Sequence, residues 1–136
     1  MLRENIGVSI KGKTPGFGSW LDGRVMQVSE AGDLVVDFTV REEMLNPMGN
    51  IHGGAIAAIV DEILGFQIFL QSEENAAYVS MTMNIDFLRA AQAGDVITAI
   101  PKVVRIGRKT ANVKCELKSA DGKVIAQGVS NFMRVV

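Results

Sequence analysis

Short β-rich stretches, several with alternating apolar and polar residues, recur along this chain. Such alternation is the period of a β-strand that buries one face. The clearest stretch is 34–40, and 24–28 reads as its partner across a turn at 30–33. The pair at 121–122, Asp-Gly, is a hairpin signal between the last two stretches. We therefore expect strands near 24–28, 34–40, 80–87, 95–106, 112–118 and 124–136.

Two details of these strands carry predictions of their own. Pro101 has no N–H to donate to a neighbouring strand, so it predicts a bulge or an edge position. Strict alternation along 80–87 divides that strand into two faces. The apolar face would hold Met81, Met83, Ile85 and Phe87, and the polar face Ser80, Thr82, Asn84 and Asp86.

The one long apolar stretch, 51–70, has the length of a membrane span. His52, Asp61, Glu62 and Gln67 interrupt it, however, and a carboxylate in mid-bilayer is costly. Apolar residues on nearly every side then predict a helix that is buried in protein on most of its faces. The whole pattern predicts an α+β domain, in which an antiparallel sheet curls round one long helix.

Gly53 and Gly54 stand where this helix is expected to begin. Glycine costs roughly 1 kcal/mol against alanine inside a helix, but it lets another group approach the backbone closely. The first N–H groups of a helix have no internal partner and carry partial positive charge. They are therefore candidates to bind a developing oxyanion. The same glycines would also permit tight packing of the helix start.

Asp61 and Glu62 lie two turns further along, inside apolar sequence. Adjacent helical positions point about 100° apart, so at least one carboxylate is expected to be partly buried, where it needs a partner or a task. On one helix, His52 and Asp61 would be about 13 Å apart along the axis and half a turn out of phase. They cannot serve one reacting carbon within a chain. A site that uses both requires a homodimer with two such sites on a two-fold axis.

Composition and charge narrow the class further. The 136 residues are 48% hydrophobic and 21% charged, which suits one folded domain and excludes a disordered chain. A net charge of −1 gives no sign of a nucleic-acid partner. A single cysteine excludes an internal disulfide. One cysteine and one histidine are also too few for a structural zinc site. The first residues show no apolar signal segment, so we expect a cytoplasmic protein.

The segment from Asn46 to Asp61 resembles the motif of the PaaI-like acyl-CoA thioesterases, in the pattern N-x-x-G-x-x-H-G-G-x-x-x-x-x-x-D. Residues 79–95 also resemble that family's strand and following turn, and the strand order is similar over nearly the whole chain. The resemblance implies a single hotdog-fold domain, 1–136, in which an antiparallel sheet of five to six strands wraps one long buried helix. The matching residues are Asn46, Gly49, His52, Gly53, Gly54 and Asp61.

Carried over to these positions, the family implies a role for each residue in acyl-CoA hydrolysis. Asp61 would be the nucleophile, or the base that activates water. The Gly53 N–H would polarise the thioester carbonyl. Asn46 would position the attacking group, His52 would orient the thioester or hold the loop, and Ser80 would assist the water.

The family often binds the nucleotide end of CoA at basic surface positions, and arginine forks suit phosphates. The resemblance implies no metal and no cofactor besides the CoA of the substrate. It also implies an acyl-CoA ligand and a dimer or a dimer of dimers with shared sites. The net charge and the interrupted apolar stretch predict neither a nucleic-acid nor a membrane partner. The candidates for binding substrate or CoA are Gly54, Arg89, Arg105, Arg108 and Lys109.

Two other functions stay open, and so does the acyl group. A hotdog-fold hydratase or dehydratase would need an acid just before His52, and neither Asp nor Glu lies between Asn46 and His52. A non-catalytic acyl-CoA-binding module would be expected to have lost Asp61 or the glycine pair. These residues also have purely structural alternatives. Asp61 and Glu62 could be a structural pair, one solvated at a subunit edge and one capping a neighbour, His52 a hydrogen-bonded structural residue, and Asn46 a turn former.

Overall fold

The computed structural model describes all 136 residues. The helices are α1, Gly16–Leu21, and α2, Gly53–Gln71. The strands are β1, Arg24–Val28; β2, Leu34–Thr39; β3, Tyr78–Phe87; β4, Val96–Ile106; β5, Thr110–Lys118; and β6, Val124–Arg134. All pairings are antiparallel, and the six strands form one sheet in the order β1-β2-β4-β5-β6-β3. This is the hotdog arrangement, with the sheet wrapped along α2.

The core lies between α2 and the inward face of the sheet. α2 lies against β3, β4, β5 and β6, and its buried apolar side chains belong to the same core as the inward side chains of the sheet. Gly128 on β6 lets α2 approach the sheet closely, because a β-carbon there would lie 2.7 Å from Cγ1 of Val60. The buried apolar residues of α2 are Ile56, Ile59, Val60, Ile63, Leu64 and Ile68.

The sheet covers only one side of α2 in a single chain. By length and a mean hydropathy of 1.6, α2 also meets the criteria for a membrane span. Its covered side, however, contains buried Gln67, whose Nε2 donates to the Gly32 carbonyl at 2.7 Å and whose Oε1 accepts the Leu34 N–H at 3.2 Å. That side packs as the core helix of a globular domain does. On the other side Phe69 is 71% exposed.

The two edge strands of the sheet differ in how they are covered. The N-terminal segment runs along β1, where the Gly7 N–H donates to the Val25 carbonyl at 2.6 Å. β3, at the other edge, has no neighbour on its outer side. A long open edge with apolar side chains favours pairing with another chain. The exposed apolar side chains along this edge are Val79, Met81, Phe87 and Leu88.

The predicted class, element order and strand positions are confirmed. Residues 16–21 form a short helix that the pattern missed, because two glycines in six residues leave no helical period. Pro101 lies in β4 beyond the end of its pairing with β2, so only β5 pairs with that part of the strand. The edge interpretation of this proline is therefore correct, and the irregularity itself lies further on, between Val103 and Arg105.

Candidate active site

Asp61 and Ser80 come together where α2 passes the first residues of β3. The Ser80 hydroxyl donates to Oδ1 of Asp61 across 3.1 Å, and both residues are exposed to solvent. A carboxylate that is oriented by a hydroxyl and open to solvent can take a proton from water or attack a carbonyl carbon itself. The pair therefore has the chemistry of a general base or a nucleophile.

A β-bulge turns Ser80 toward α2. The pairing of β3 with β6 shifts by one residue between Ser80 and Thr82, which leaves Met81 as the extra residue. Ser80 lies opposite Phe132, a buried residue, whereas Thr82 lies opposite Asn131 and faces the other side of the sheet. The prediction that placed Ser80 and Thr82 on one face is wrong here, because an alternating sequence pattern does not show where a strand contains an extra residue. Met81 is correspondingly exposed rather than buried.

The start of α2 leaves one backbone donor free. His52 caps the helix, since its Nδ1 accepts the Gly54 N–H across 2.8 Å and its carbonyl accepts the N–H groups of Ala55 and Ile56. The Gly53 N–H has no acceptor in the protein. Gly53 is therefore the donor that can bind an oxyanion, and the Gly54 N–H is already engaged.

Asn46 organises the loop that leads into α2. Its Oδ1 accepts the N–H groups of Met48 at 3.0 Å and Asn50 at 3.2 Å, which closes a turn. Gly49 in this turn has a φ of +81°, a conformation that costs glycine little. The side-chain oxygen of Asn46 thus shapes the loop, and its amide nitrogen has no acceptor and remains able to donate.

Asp61 and Gly53 lie too far apart to share a substrate atom within one chain. Eight residues of helix separate them, which is about 12 Å along the axis. The contacts of β3 agree with this separation, because β3 runs beside α2 in the opposite direction and its two ends lie next to Asp61 and Gly53. Ser80 binds Asp61, whereas Phe87 at the other end of β3 lies 3.4 Å from the place of a β-carbon on Gly53.

A cleft of about 390 Å³ opens beside Asp61. Apolar walls with a few converging polar groups are typical of small-molecule sites. Aromatic rings form much of the wall of this cleft, and no cationic side chain borders it. The lining residues are Asp61, Glu62, Gly65, Phe66, Tyr78, Val79, Ser80 and Phe132.

Glu62 is the half-buried member of the acid pair. Its carboxyl group lies against α1, where a β-carbon on Gly18 would overlap its Oε1 atom. Burial, and secondly the charge of Asp61, raises the pKa of Glu62 above its ordinary value. The prediction that at least one of the two acids is partly buried is confirmed. Nothing in the sequence singled out Gly18, because nothing in it predicted α1.

Three arginines border a second cavity, of about 380 Å³, next to this cleft. Arg105, Arg108 and Arg134 line it together with Glu73, whose carboxylate binds Arg134 across 2.9 Å. Tyr78 borders both cavities. The arginine cavity therefore lies on the other side of Tyr78 from the acid pair.

The structure brings only some of the predicted basic residues together. Arg105 and Arg108 share the arginine cavity, Lys109 does not line it, and Arg89 borders a different cavity beyond the far end of β3. Arg134 joins them because the β5–β6 register sets its N–H 2.7 Å from the Lys109 carbonyl. The sequence contained a signal for this contact, because pairing residues outward from the Asp-Gly turn at 121–122 places Arg134 opposite Lys109.

A larger cavity, of about 670 Å³, lies on the opposite face of the sheet and borders no helix N-terminus. Cys115 is next to it but is buried, and burial raises the pKa of its thiol to about 12, which leaves it a poor nucleophile. No group of three or more His, Cys, Asp or Glu side chains is arranged to hold a metal ion. Neither Cys115 nor a metal-ligand cluster therefore offers an alternative to Asp61 as the reactive group.

Comparisons with known proteins identify the family of this chain. The family model of the thioesterase superfamily matches residues 48–126. Human acyl-coenzyme A thioesterase 13 is 36% identical over 108 residues, which are 78% of this chain and 76% of that protein. Acyl-coenzyme A thioesterase PaaI of Escherichia coli is 31% identical over 97 residues, which are 71% of this chain and 67% of that protein.

The fold agrees as well. The structure of the E. coli PaaI protein from the phenylacetic acid degradation operon superimposes with a TM-score of 0.82 and 26% identity, over 92% of this chain and 88% of that one. The family match covers the helix start, Asp61 and Ser80. This chain therefore belongs to the thioesterase superfamily, among its PaaI-like hotdog members, and is a thioester hydrolase.

Proposed function

We propose that the protein hydrolyses acyl-CoA to a free acid and CoA, at two equivalent sites that are each shared between two copies of the chain. The observation that carries the proposal is the Asp61–Ser80 pair at the aromatic cleft, with the free Gly53 N–H about 12 Å away along the same helix. Relatives named acyl-coenzyme A thioesterase support CoA as the thiol.

Asp61 supplies the base or the nucleophile of the reaction. As a base it removes a proton from water while the water oxygen bonds to the thioester carbon, and the tetrahedral intermediate then expels CoA thiolate, which takes the proton from Asp61. As a nucleophile it forms an anhydride and releases CoA, and water then cleaves the anhydride. Ser80 orients the carboxylate in either route. Both routes move protons through Asp61 and water, so neither calls for an added cofactor.

The Gly53 N–H stabilises the oxyanion that forms on the thioester carbonyl. It lies at a helix N-terminus, where backbone donors carry partial positive charge. His52 caps the neighbouring Gly54 N–H and so fixes the helix start without occupying the Gly53 donor. Asn46 holds the loop in front of this donor, with its amide nitrogen available to the water or the substrate.

Pairing of two β3 edges around a two-fold axis would complete the site. If two copies of β3 pair antiparallel about the middle of the strand, the Phe87 end of one lies beside the Tyr78 end of the other. The Phe87 ring lies beside Gly53, and Ser80 binds Asp61. The pairing therefore brings Gly53 of the partner subunit to Asp61, and it also covers the open apolar edge.

The same pairing gathers the basic residues into one patch. Arg89 follows the Phe87 end of β3, so the partner subunit's Arg89 would approach the cavity of Arg105, Arg108 and Arg134. Arginine binds phosphate through forked hydrogen bonds. We assign the nucleotide phosphates of CoA to this patch, which places the thioester at Asp61 and the nucleotide beyond Tyr78.

Thiol release from a panel of aromatic, short and long acyl-CoAs tests the activity. We expect clear release by the native protein and a loss of at least about 100-fold in kcat for Asp61→Asn. Asp86→Asn is the matched control, because Asp86 is a β3 carboxylate that binds Gln127 on the opposite face of the sheet. Undiminished turnover by Asp61→Asn would contradict the proposal, and so would no release from any acyl-CoA.

The oxyanion role is tested at Gly53. Gly53→Pro removes the N–H at the first helical position, where proline is tolerated, whereas Gly53→Ala keeps the N–H and meets Phe87 at an ordinary 3.4 Å. We expect kcat to fall about 10²–10³-fold in the proline variant and to stay within several-fold of native in the alanine variant. Equal rates for the two variants would argue against the N–H.

The subunit arrangement is tested by native mass. Light scattering should give two subunits or a multiple of two, and Met81→Lys, which adds a charge at the exposed edge of β3, should lower both the mass and the turnover. A monomer that retains full activity would exclude the shared site.

A further inference from the structure

The cleft beside Asp61 has an unbalanced charge. Asp61 and Glu62 both border it, and none of its lining residues is cationic. The nearest group of arginines borders the other cavity, beyond Tyr78, and one of them is paired with Glu73. A group that enters this cleft therefore meets two acidic side chains and no cationic side chain of the same chain.

Glu62 cannot withdraw from the cleft, because α1 lies behind it. Gly18 of α1 packs against the Glu62 carboxyl group, with no room for a β-carbon between them. Arg41 fixes the end of α1, as its guanidinium donates to the carbonyls of Trp20 and Leu21 and lies 4.8 Å over the Trp20 ring. The carboxyl group is thus held at the wall, with apolar rings around the rest of the cleft.

We propose that Glu62 is a specificity-determining residue, which makes the cleft accept neutral acyl groups and reject acyl groups that end in a carboxylate. This inference rests on the proposed acyl-CoA hydrolysis. With the phosphates of CoA drawn to the arginines beyond Tyr78, the acyl chain extends from Asp61 into the part of the cleft that Glu62 borders.

The size of the effect follows from Coulomb's law. Two like charges about 6 Å apart in a half-exposed site repel each other enough to change an equilibrium or rate constant roughly tenfold. The apolar rings add to the selection, because they offer no hydrogen bond to a carboxylate that has lost its water. A methyl group at the same place would instead be stabilised by the rings.

The test compares acyl groups of equal length, one neutral and one anionic. Thiol release is measured at about pH 8 with valeryl-CoA and glutaryl-CoA, and with butyryl-CoA and succinyl-CoA, for the native protein and for Glu62→Gln. The readout is the ratio of kcat/KM for the anionic substrate to that for its neutral match. Glu74→Gln is the control, because Glu74 is an exposed acid outside the cleft.

We expect the native ratio to lie well below one, and Glu62→Gln to raise it about tenfold while Glu74→Gln leaves it unchanged. A native enzyme that hydrolyses glutaryl-CoA as fast as valeryl-CoA would overturn the inference and leave the proposed function intact. A low ratio that Glu62→Gln does not change would overturn the role of Glu62. No hydrolysis of either neutral substrate would also overturn the inference, whereas the proposed activity fails only if the whole panel of aromatic, short and long acyl-CoAs gives no thiol release.

Discussion

Replacing Ser80 with alanine removes the one side-chain donor that binds Asp61. The lost contact is a 3.1 Å hydrogen bond to a carboxylate oxygen, and hydrogen bonds to charged groups contribute about 1.5–3 kcal/mol. Both groups are exposed, so water replaces part of the interaction and the lower value applies. A loss of about 1.5 kcal/mol in the transition state corresponds to a roughly tenfold lower kcat.

The assay is steady-state thiol release for native protein, Ser80→Ala and Thr82→Ala. Strict alternation would put both hydroxyls on one face, whereas the bulge at Met81 separates them. Thr82 accepts a hydrogen bond from Asn131 on the opposite face, so its alanine variant should keep kcat within about twofold of native. Full turnover by Ser80→Ala, or an equal loss in Thr82→Ala, would refute the assignment of Ser80 to Asp61.

Other expected outcomes concern charge, packing and thiol reactivity. Because burial raises the pKa of Glu62, its ionised form destabilises the folded state above that pKa, and this cost vanishes below the pKa of the unfolded chain. Glu62→Gln should therefore raise Tm in calorimetry at about pH 8 and leave it unchanged at about pH 3. Gly128→Ala should lower the free energy of unfolding by about 1–3 kcal/mol in denaturant titrations, since its β-carbon would meet Val60 at 2.7 Å. Gly65→Ala, where a β-carbon meets nothing within 4 Å, should not lower it. Cys115 should resist thiol reagents in the native protein at about pH 8 and react fully in guanidinium, because its thiol is buried with a pKa of about 12; fast labelling of the native protein would contradict its burial.

Local patterns were sufficient to predict the framework of this fold. The alternation at Leu34, Val36 and Phe38 and the Asp-Gly turn at 121–122 act within a few residues, and both features are present in the structure. The long helix could be predicted because its apolar residues recur at helical spacing over five turns. The apolar surface that it leaves open was not expected, since periodicity does not tell how many neighbours share a helix.

The site depends more on contacts between distant residues. The helix-start motif marked His52, Gly53 and Asp61, whose distances then follow from helix geometry alone. The orientation of Ser80 could not be predicted, because it depends on one inserted residue in the pairing of β3 with β6. The contact of Gly18 with Glu62 depends on a six-residue helix that has no periodicity of its own.

The family match decides between the enzyme classes that the sequence left open. The hydratase alternative differed from the thioesterase only in the residues before His52, which form the turn around Asn46. Membership of the thioesterase superfamily removes that alternative. Which acyl group fits is a property of the cleft between Asp61, Glu62 and the aromatic rings.

The central claim is that Asp61 of one subunit acts with Gly53 of the partner subunit on a single thioester. It is tested most directly by co-expressing Asp61→Asn and Gly53→Pro chains with different affinity tags and purifying the mixed dimer. One of its two sites then has both an intact Asp61 and an intact Gly53 N–H. Neither parent homodimer has a site with both groups intact. We predict about half of the native turnover per mixed dimer. A mixed dimer as inactive as its two parents would contradict the shared site.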